Sequence, residues 1–197
     1  HYKEGVENPL YYFINVCPEC GFAFYDEFTP YMNPRVRQNI QKNLADKWEK
    51  RDYGKKRNEQ QGIATLKLAL LTATLKEEKH TVIGSICLRL AWIYRARQDR
   101  AEEERFLRLA LQEFERGFME SDFDGTSMTE MKIMYMIGEL NRRLGNHQQA
   151  LNYFSRVIEH PMKHEDPRTV NFAREQWRAT VEEHRELKKK SSEEEAE

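Results

Sequence analysis

Apolar residues at spacings of three and four run through the chain from Pro34 almost to its end. This spacing places side chains on one face of an α-helix, and no alternating strand pattern interrupts it. Polar stretches and a few Gly and Pro residues separate the helical segments. The pattern predicts seven helices, over about residues 34–50, 58–78, 80–97, 101–120, 128–143, 148–159 and 168–189.

One pair of predicted helices, "MKIMYMIGELNRRLGNHQQALNYFSRVIEHP", carries a repeat signature. Counted from Met131, Ile137 and Gly138 occupy positions seven and eight, and Ala150 occupies position twenty. The small residues let two antiparallel helices approach, while Ile137 and Phe154 fill the space beside them. This arrangement is typical of a tetratricopeptide repeat.

Weaker copies of the same pattern precede this pair. Leu90 and Ala91 hold the paired positions of an earlier unit whose second helix contains "FLRLALQEF", and "GIATLKLAL" resembles the second helix of a still earlier one. Such hairpins bury their apolar faces by stacking on neighbours. We therefore expect a tetratricopeptide-like right-handed α-α superhelix over residues 34–187, and a charged disordered tail over residues 188–197.

Composition narrows the classes of partner. The 197 residues are 33% charged, yet the formal net charge is −1, so we expect no broad surface for nucleic acid or anionic membrane. The absence of a run of eighteen apolar residues predicts no membrane partner, and three cysteines form no disulfide framework, so we expect a cytoplasmic protein. One local basic cluster stands out: Lys47, Lys50, Arg51, Lys55, Lys56 and Arg57.

Two of the three cysteines lie in "CPECG", which has the form of a zinc knuckle. Cys17 and Cys20 would direct two thiolates at one point, and Gly21 permits the turn that follows. The flanking aromatic residues predict short strands beside the knuckle, so residues 1–33 are expected to form a partial zinc-ribbon-like segment with a β component. Cys87, on the apolar stripe of the third helix, is expected to be a core thiol.

A structural Zn²⁺ has four ligands, and three hypotheses about the Cys pair stay open. The site is half of a zinc ribbon whose other pair lies before His1, it is completed by His1 or a partner chain, or the pair binds no metal and is reduced or disulfide-bonded. The cofactor expected is zinc, with an incomplete ligand set in this chain.

The inner surface of a repeat stack is lined by the first helix of each hairpin, and extended peptides commonly bind there. Helical positions on that surface predict a partner-binding groove with aromatic and basic character. Its residues are Leu88, Trp92, Arg95, Tyr135, Glu139, Arg142 and Arg143. A methionine cluster flanks the loop near residue 125 and is expected to serve mainly as packing: Met119, Met128, Met131, Met134 and Met136.

No phosphate-binding, dinucleotide-binding, nucleophile-elbow or zinc-protease motif is present, so we expect no enzyme. The predicted function is a non-enzymatic interaction or scaffold module that binds a protein or peptide. Two alternatives stay open, a nucleic-acid-associated zinc-ribbon protein and a redox or metal sensor acting through the Cys pair.

The segments "NPLYYFINVCPECGFAFYDEF", "LKLALLTATLKEEKHTVIGSICLRLAWIYR" and "IGELNRRLGNHQQALNYFSRVI" together resemble the bacterial family called domain of unknown function 2225, over about residues 8–158. Members of that family typically begin with another C-P-x-C knuckle some tens of residues earlier. The resemblance implies that such a knuckle supplies the remaining zinc ligands. It implies an architecture and assigns no activity.

Overall fold

The computed structural model describes residues 7–194. It confirms a mostly helical chain with a small N-terminal β segment. Strands β1 (Asn15–Val16) and β2 (Ala23–Phe24) pair antiparallel, with Val16 opposite Ala23. The helices are α1 (Pro34–Asn43), α2 (Glu59–Lys76), α3 (His80–Ala96), α4 (Arg100–Met119), α5 (Glu130–Arg143), α6 (His147–Ile158) and α7 (Pro167–Glu194).

Polar side chains fix where several helices begin. The side chain of Asn33 accepts a hydrogen bond from the backbone N–H of Val36 at 2.8 Å, directly before α1. At α2, Asn58 and Gln61 form a reciprocal capping box. These bonds satisfy backbone donors that have no partner inside the helix, so the starts follow from local sequence.

Helix α1 is shorter than predicted and ends at Asn43, followed by a 3₁₀ turn over Ala45–Lys47. The chain leaves the helix because Trp48 packs elsewhere. Its indole Nε1 donates a hydrogen bond to the carbonyl of Pro18 at 2.8 Å. A tertiary contact with the N-terminal segment thus overrides a helical pattern that continued to residue 50.

The chain divides into two compact units, His1–Glu113 and Phe114–Glu197. The predicted boundary after residue 33 is not where this division falls, because the N-terminal segment packs on α2. The backbone N–H of Ala23 donates to Thr72 Oγ1 at 3.4 Å, and a Cβ added to Gly62 would lie 2.6 Å from Tyr11 Cδ1. The knuckle segment is therefore part of the first helical unit.

The first unit also contains a small apolar cluster and a helical hairpin. Val36, Ile40 and Leu44 of the α1 region are buried and pack with residues of α2. Between α3 and α4, the rings of Tyr94 and Phe106 stack with centroids 5.6 Å apart. The stacked rings place α3 and α4 in contact, as the predicted hairpin requires.

The second unit consists of the end of α4 and helices α5, α6 and α7. Its core contains residues from all three complete helices: Met131, Met134, Ala150, Phe154, Val157, Val170 and Ala173. Helix α7 packs against both α5 and α6. It continues to Glu194, so residues 188–194 are helical where a disordered tail was expected; the Lys and Glu residues there are good helix formers.

Candidate functional site

Three of the seven predicted groove residues lie on α3 in the first unit. Leu88 is buried, whereas the Trp92 side chain is 39% exposed. The guanidinium Nε of Arg95 donates to Glu103 Oε1 at 2.6 Å. Arg95 is therefore engaged in an ion pair within its own unit.

The other four lie on α5 in the second unit, where the charged residues form a network. Arg142 Nε lies 2.9 Å from Glu139 Oε2, and Arg142 Nη1 lies 2.6 Å from Glu183 Oε1. Arg143 Nε lies 2.5 Å from the other Glu139 oxygen. The pKa of Arg142 is raised, chiefly by its hydrogen bond to Glu139. Carboxylates of the same unit therefore already bind both arginines, a fact that helical spacing alone did not indicate.

Tyr135 is half-buried between two other rings of the second unit. Its centroid lies 6.0 Å from that of Phe154 and 6.2 Å from that of Phe172. The pKa of Tyr135 is raised by burial and by the nearby Glu139. Tyr135 links the predicted groove to a cavity that the sequence analysis missed.

That cavity has a volume of about 800 Å³ and lies at the N-terminal ends of α5 and α7. We call it the methionine groove. Its apolar lining consists of Met128, Met131, Met136, Met162, Tyr135 and Phe172. The expectation that the methionine cluster serves mainly as packing holds for Met131 and Met134, which are buried, but not for Met119, which is 73% exposed. Met162 also lines the groove. Because it is distant in sequence from the methionine cluster, no sequence pattern indicated that it belongs to the same site.

Charged groups of both signs border the methionine groove. Lys132, Arg168, Glu130, Glu165 and Asp166 all line it. The pKa of Asp166 is lowered, mainly by hydrogen bonds from the side chain and backbone of Thr169, with smaller contributions from Lys132 and Arg168. Positive charge at the rim is therefore balanced locally.

The knuckle forms a tight turn around the two cysteines of the first unit. The backbone N–H of Cys17 donates to the carbonyl of Phe22 at 2.9 Å, and that of Gly21 donates to Cys17 at 2.9 Å. Hydrogen bonds from the backbone N–H groups of Cys20 and Glu19 lower the pKa of Cys17, whereas burial raises that of Cys20. Such amide donors around a sulfur stabilise a thiolate ligand.

Among residues 7–189, no group of three or more His, Cys, Asp or Glu side chains could hold a metal ion. Cys87 is buried in α3, as expected for a core thiol, and His1 lies outside the described residues. Cys17 and Cys20 are thus neighbouring thiols with no third such ligand beside them in the described part of the chain.

Acidic neighbours bind several members of the basic cluster. Lys56 Nζ lies 3.2 Å from Glu7, Arg51 lies 3.5 Å from Glu49, and Lys50 pairs with Glu19. Arg57 instead donates to the carbonyls of Tyr11 and Ile14 at 3.0 and 2.7 Å. These basic side chains are therefore paired with acidic or carbonyl groups of the first unit.

A family model described as "Uncharacterized protein conserved in bacteria (DUF2225)" matches residues 1–180. The chain belongs to the DUF2225 family. The match includes the knuckle, helices α1 to α6 and the first half of α7, so the resemblance predicted over residues 8–158 is confirmed and extended. No curated protein and no solved structure matches this DUF2225 chain. In its described part, no helix is long and apolar enough to cross a membrane.

Proposed function

We propose that this protein is a non-enzymatic interaction module in which the methionine groove binds a segment of a partner protein. The observation that carries the proposal is the groove itself, about 800 Å³ in volume, whose apolar lining is made of methionine and aromatic side chains. Its volume lies within the range of roughly 300–1,000 Å³ that is usual for ligand sites.

Exposure of large apolar groups supports the same function. Phe172 is 40% exposed and Met162 is 50% exposed, although both would be favoured in a core. Methionine side chains are flexible and polarizable, so they adapt to apolar partners of differing shape. Because the rim carries charges of both signs, two basic and three acidic, apolar side chains of the partner would supply most of the binding free energy.

We further propose that the hairpins belong to a tetratricopeptide-like right-handed superhelix. The close approach of Gly138 to Phe154 and the packing of α7 against α5 support this assignment within the second unit. In such a stack α5 and α7 would be the first helices of successive hairpins, and first helices line the inner surface. The groove between them would then be a peptide site of the kind expected for this architecture. That Leu88, Trp92 and Arg95 of α3 belong to a partner-binding groove stays a prediction.

A random peptide library displayed on phage and selected on the purified chain tests the groove. We expect enriched peptides to share apolar side chains at a fixed spacing. Phe172→Glu should weaken their binding at least about tenfold, because it places a charge in the apolar lining. Leu187→Glu is the matched control, since Leu187 lies on the same helix, is 52% exposed and does not line the groove.

Two results would contradict the proposal. One is a selection that enriches no peptide family. The other is a set of peptides that binds Phe172→Glu as tightly as the unchanged chain, with both proteins shown by circular dichroism to be equally helical.

We also propose that Cys17 and Cys20 provide two thiolate ligands of a structural Zn²⁺. The amide hydrogen bonds to Cys17 and the tight turn at Gly21 support it. Co²⁺ added to the reduced chain should give thiolate charge-transfer absorption that falls when either cysteine is replaced by Ser and stays unchanged in Cys87→Ser. Absorption that persists in the double variant Cys17→Ser, Cys20→Ser would overturn this assignment.

A further inference from the structure

We propose that the second unit carries a binding site for a neutral saccharide on a surface separate from the methionine groove. This surface, which we call the uncharged face, lies between α6 and α7 and borders an open cavity of about 450 Å³. Its lining consists of Gln148, Gln149, Leu151, Asn152, Ser155 and Trp177.

The uncharged face is defined by side chains that point the same way. Gln148, Asn152 and Ser155 follow one another at positions i, i+4 and i+7 of α6, which places them along one face of the helix. Trp177 of α7 contributes an indole that is 37% exposed. The polar side chains of α6 and the indole of α7 thus line the same cavity.

These side chains are available to a ligand. Gln148, Gln149 and Asn152 are exposed, and Ser155 is half-buried. Among the residues that the structure describes, none of these four side chains, nor the Trp177 indole, has a hydrogen-bond or ion-pair partner. Their donors and acceptors are therefore open to solvent or to a bound molecule.

Charge identifies the class of ligand. One third of the whole chain is charged, at 33%, yet no charged side chain lines this cavity in the described part of the protein. An ionic ligand would find no counter-charge here, so the ligand is neutral. Carboxamides donate and accept hydrogen bonds at once, and hydroxyl groups do the same. A polyhydroxy compound therefore matches three amides and a serine.

The single indole favours a sugar ring over other neutral ligands. The C–H face of a pyranose is apolar and can lie flat on an aromatic ring while its hydroxyls reach neighbouring amides. A proline-rich peptide is neutral too, but it commonly binds in a groove lined by several aromatic residues and offers few backbone donors. The uncharged face has one aromatic residue and several acceptors.

Calorimetric titration of the whole chain with three neutral oligosaccharides, cellohexaose, chitohexaose and maltohexaose, tests the proposal. We expect at least one of them to bind. Trp177→Ala should weaken that binding at least about tenfold, and the double change Gln148→Ala, Asn152→Ala should weaken it by a similar factor. Trp92→Ala is the matched control, because Trp92 is a second exposed indole, 39% exposed, in the other unit.

Saccharide binding that Trp177→Ala leaves unchanged would overturn the proposal, as would the absence of binding to all three probes. Binding of a proline-rich peptide to the uncharged face in place of any saccharide would overturn it as well. Phe172→Glu should keep full saccharide affinity, since Phe172 does not line this cavity. The proposals for the methionine groove and for the uncharged face can therefore be contradicted independently of each other.

Discussion

Gly138 of α5 lies against the ring of Phe154 of α6, so close that a Cβ at Gly138 would be 2.7 Å from Phe154 Cε1. Phe154 is fully buried, and a ring in a close-packed interior can shift only by displacing its neighbours. The contact sets the distance between the two helices of this hairpin. It also confirms the pairing of small and large residues from which the hairpin was predicted.

Gly138→Ala should therefore destabilise the protein by about 1–3 kcal/mol through overpacking. The loss should appear although alanine gains about 1 kcal/mol of helix propensity over glycine. Urea unfolding followed by circular dichroism measures it. In a Phe154→Leu background the same change should cost less; an equal cost in both backgrounds would show that the ring is not the cause.

Gly21→Ala should cost more than Gly125→Ala, although both glycines have nearly the same backbone conformation. Their φ angles are +72° and +73°, so a side chain adds a strain of about 1–2 kcal/mol at either position. At Gly21 a Cβ would also lie 2.4 Å from the Trp48 ring, whereas nothing lies within 4 Å at Gly125. We expect a further 1–3 kcal/mol or so at Gly21, measured by urea unfolding. Equal losses would mean that the indole moves aside freely.

Glu78→Gln should destabilise the first unit by about 3–5 kcal/mol, because it leaves the buried Lys76 ammonium without a counter-charge. Both side chains are almost fully buried, and Lys76 also donates to the Thr29 carbonyl at 2.6 Å. The neighbouring change Glu77→Gln breaks only an exposed pair with Arg35 and should cost at most about 1 kcal/mol. Chemical denaturation of the two variants compares a buried and an exposed ion pair one residue apart. A loss at Glu78 no larger than that at Glu77 would refute the prediction.

Cys87 should make stability fall at high pH. Burial raises the pKa of Cys87 from 9.0 to about 12, with a smaller contribution from Glu113. Because the folded pKa is the higher one, stability that depends on the neutral thiol is complete below about pH 9 and is lost as the pH rises toward 12, by about 1.4 kcal/mol per pH unit.

The test is the difference in free energy of unfolding between the unchanged chain and Cys87→Ala. We expect the unchanged chain to be more stable at about pH 8 and its advantage to shrink by about 1 kcal/mol at about pH 10. A constant difference over this range would mean that Cys87 titrates normally in the folded protein.

Several helix boundaries could be predicted from sequence because their determinants are local. Asn58 caps α2 through Gln61, and α5 ends at Arg143 just before Gly145, whose φ is +81°. The α5–α6 hairpin was also predictable, since Gly138 and Ala150 mark close packing by their size alone. The end of α1 was not, because Trp48 is drawn to Gly21 and Pro18, thirty residues or so away in sequence.

The candidate sites were less predictable for the same reason. Arg142 was correctly placed on α5. It pairs, however, with Glu183 of α7, which lies 41 positions later in the chain. The methionine groove depends on Met162 and Phe172 meeting the start of α5, and the uncharged face depends on Trp177 lying beside the amides of α6. Helical periodicity shows which residues share one face of a helix. It does not show which other element that face packs against.

By itself, the sequence determined the helical class, most helix limits, the tight turn of the cysteine knuckle and the membership of a bacterial family. The first three follow from interactions between residues close in the chain, and the family membership follows from similarity of sequence. Only the tertiary structure decided that the knuckle segment is part of the first helical unit, which arginines are already paired, and where the methionine groove and the uncharged face lie. Those outcomes depend on contacts between distant segments, which form when apolar faces and buried charges find partners and which no local pattern encodes.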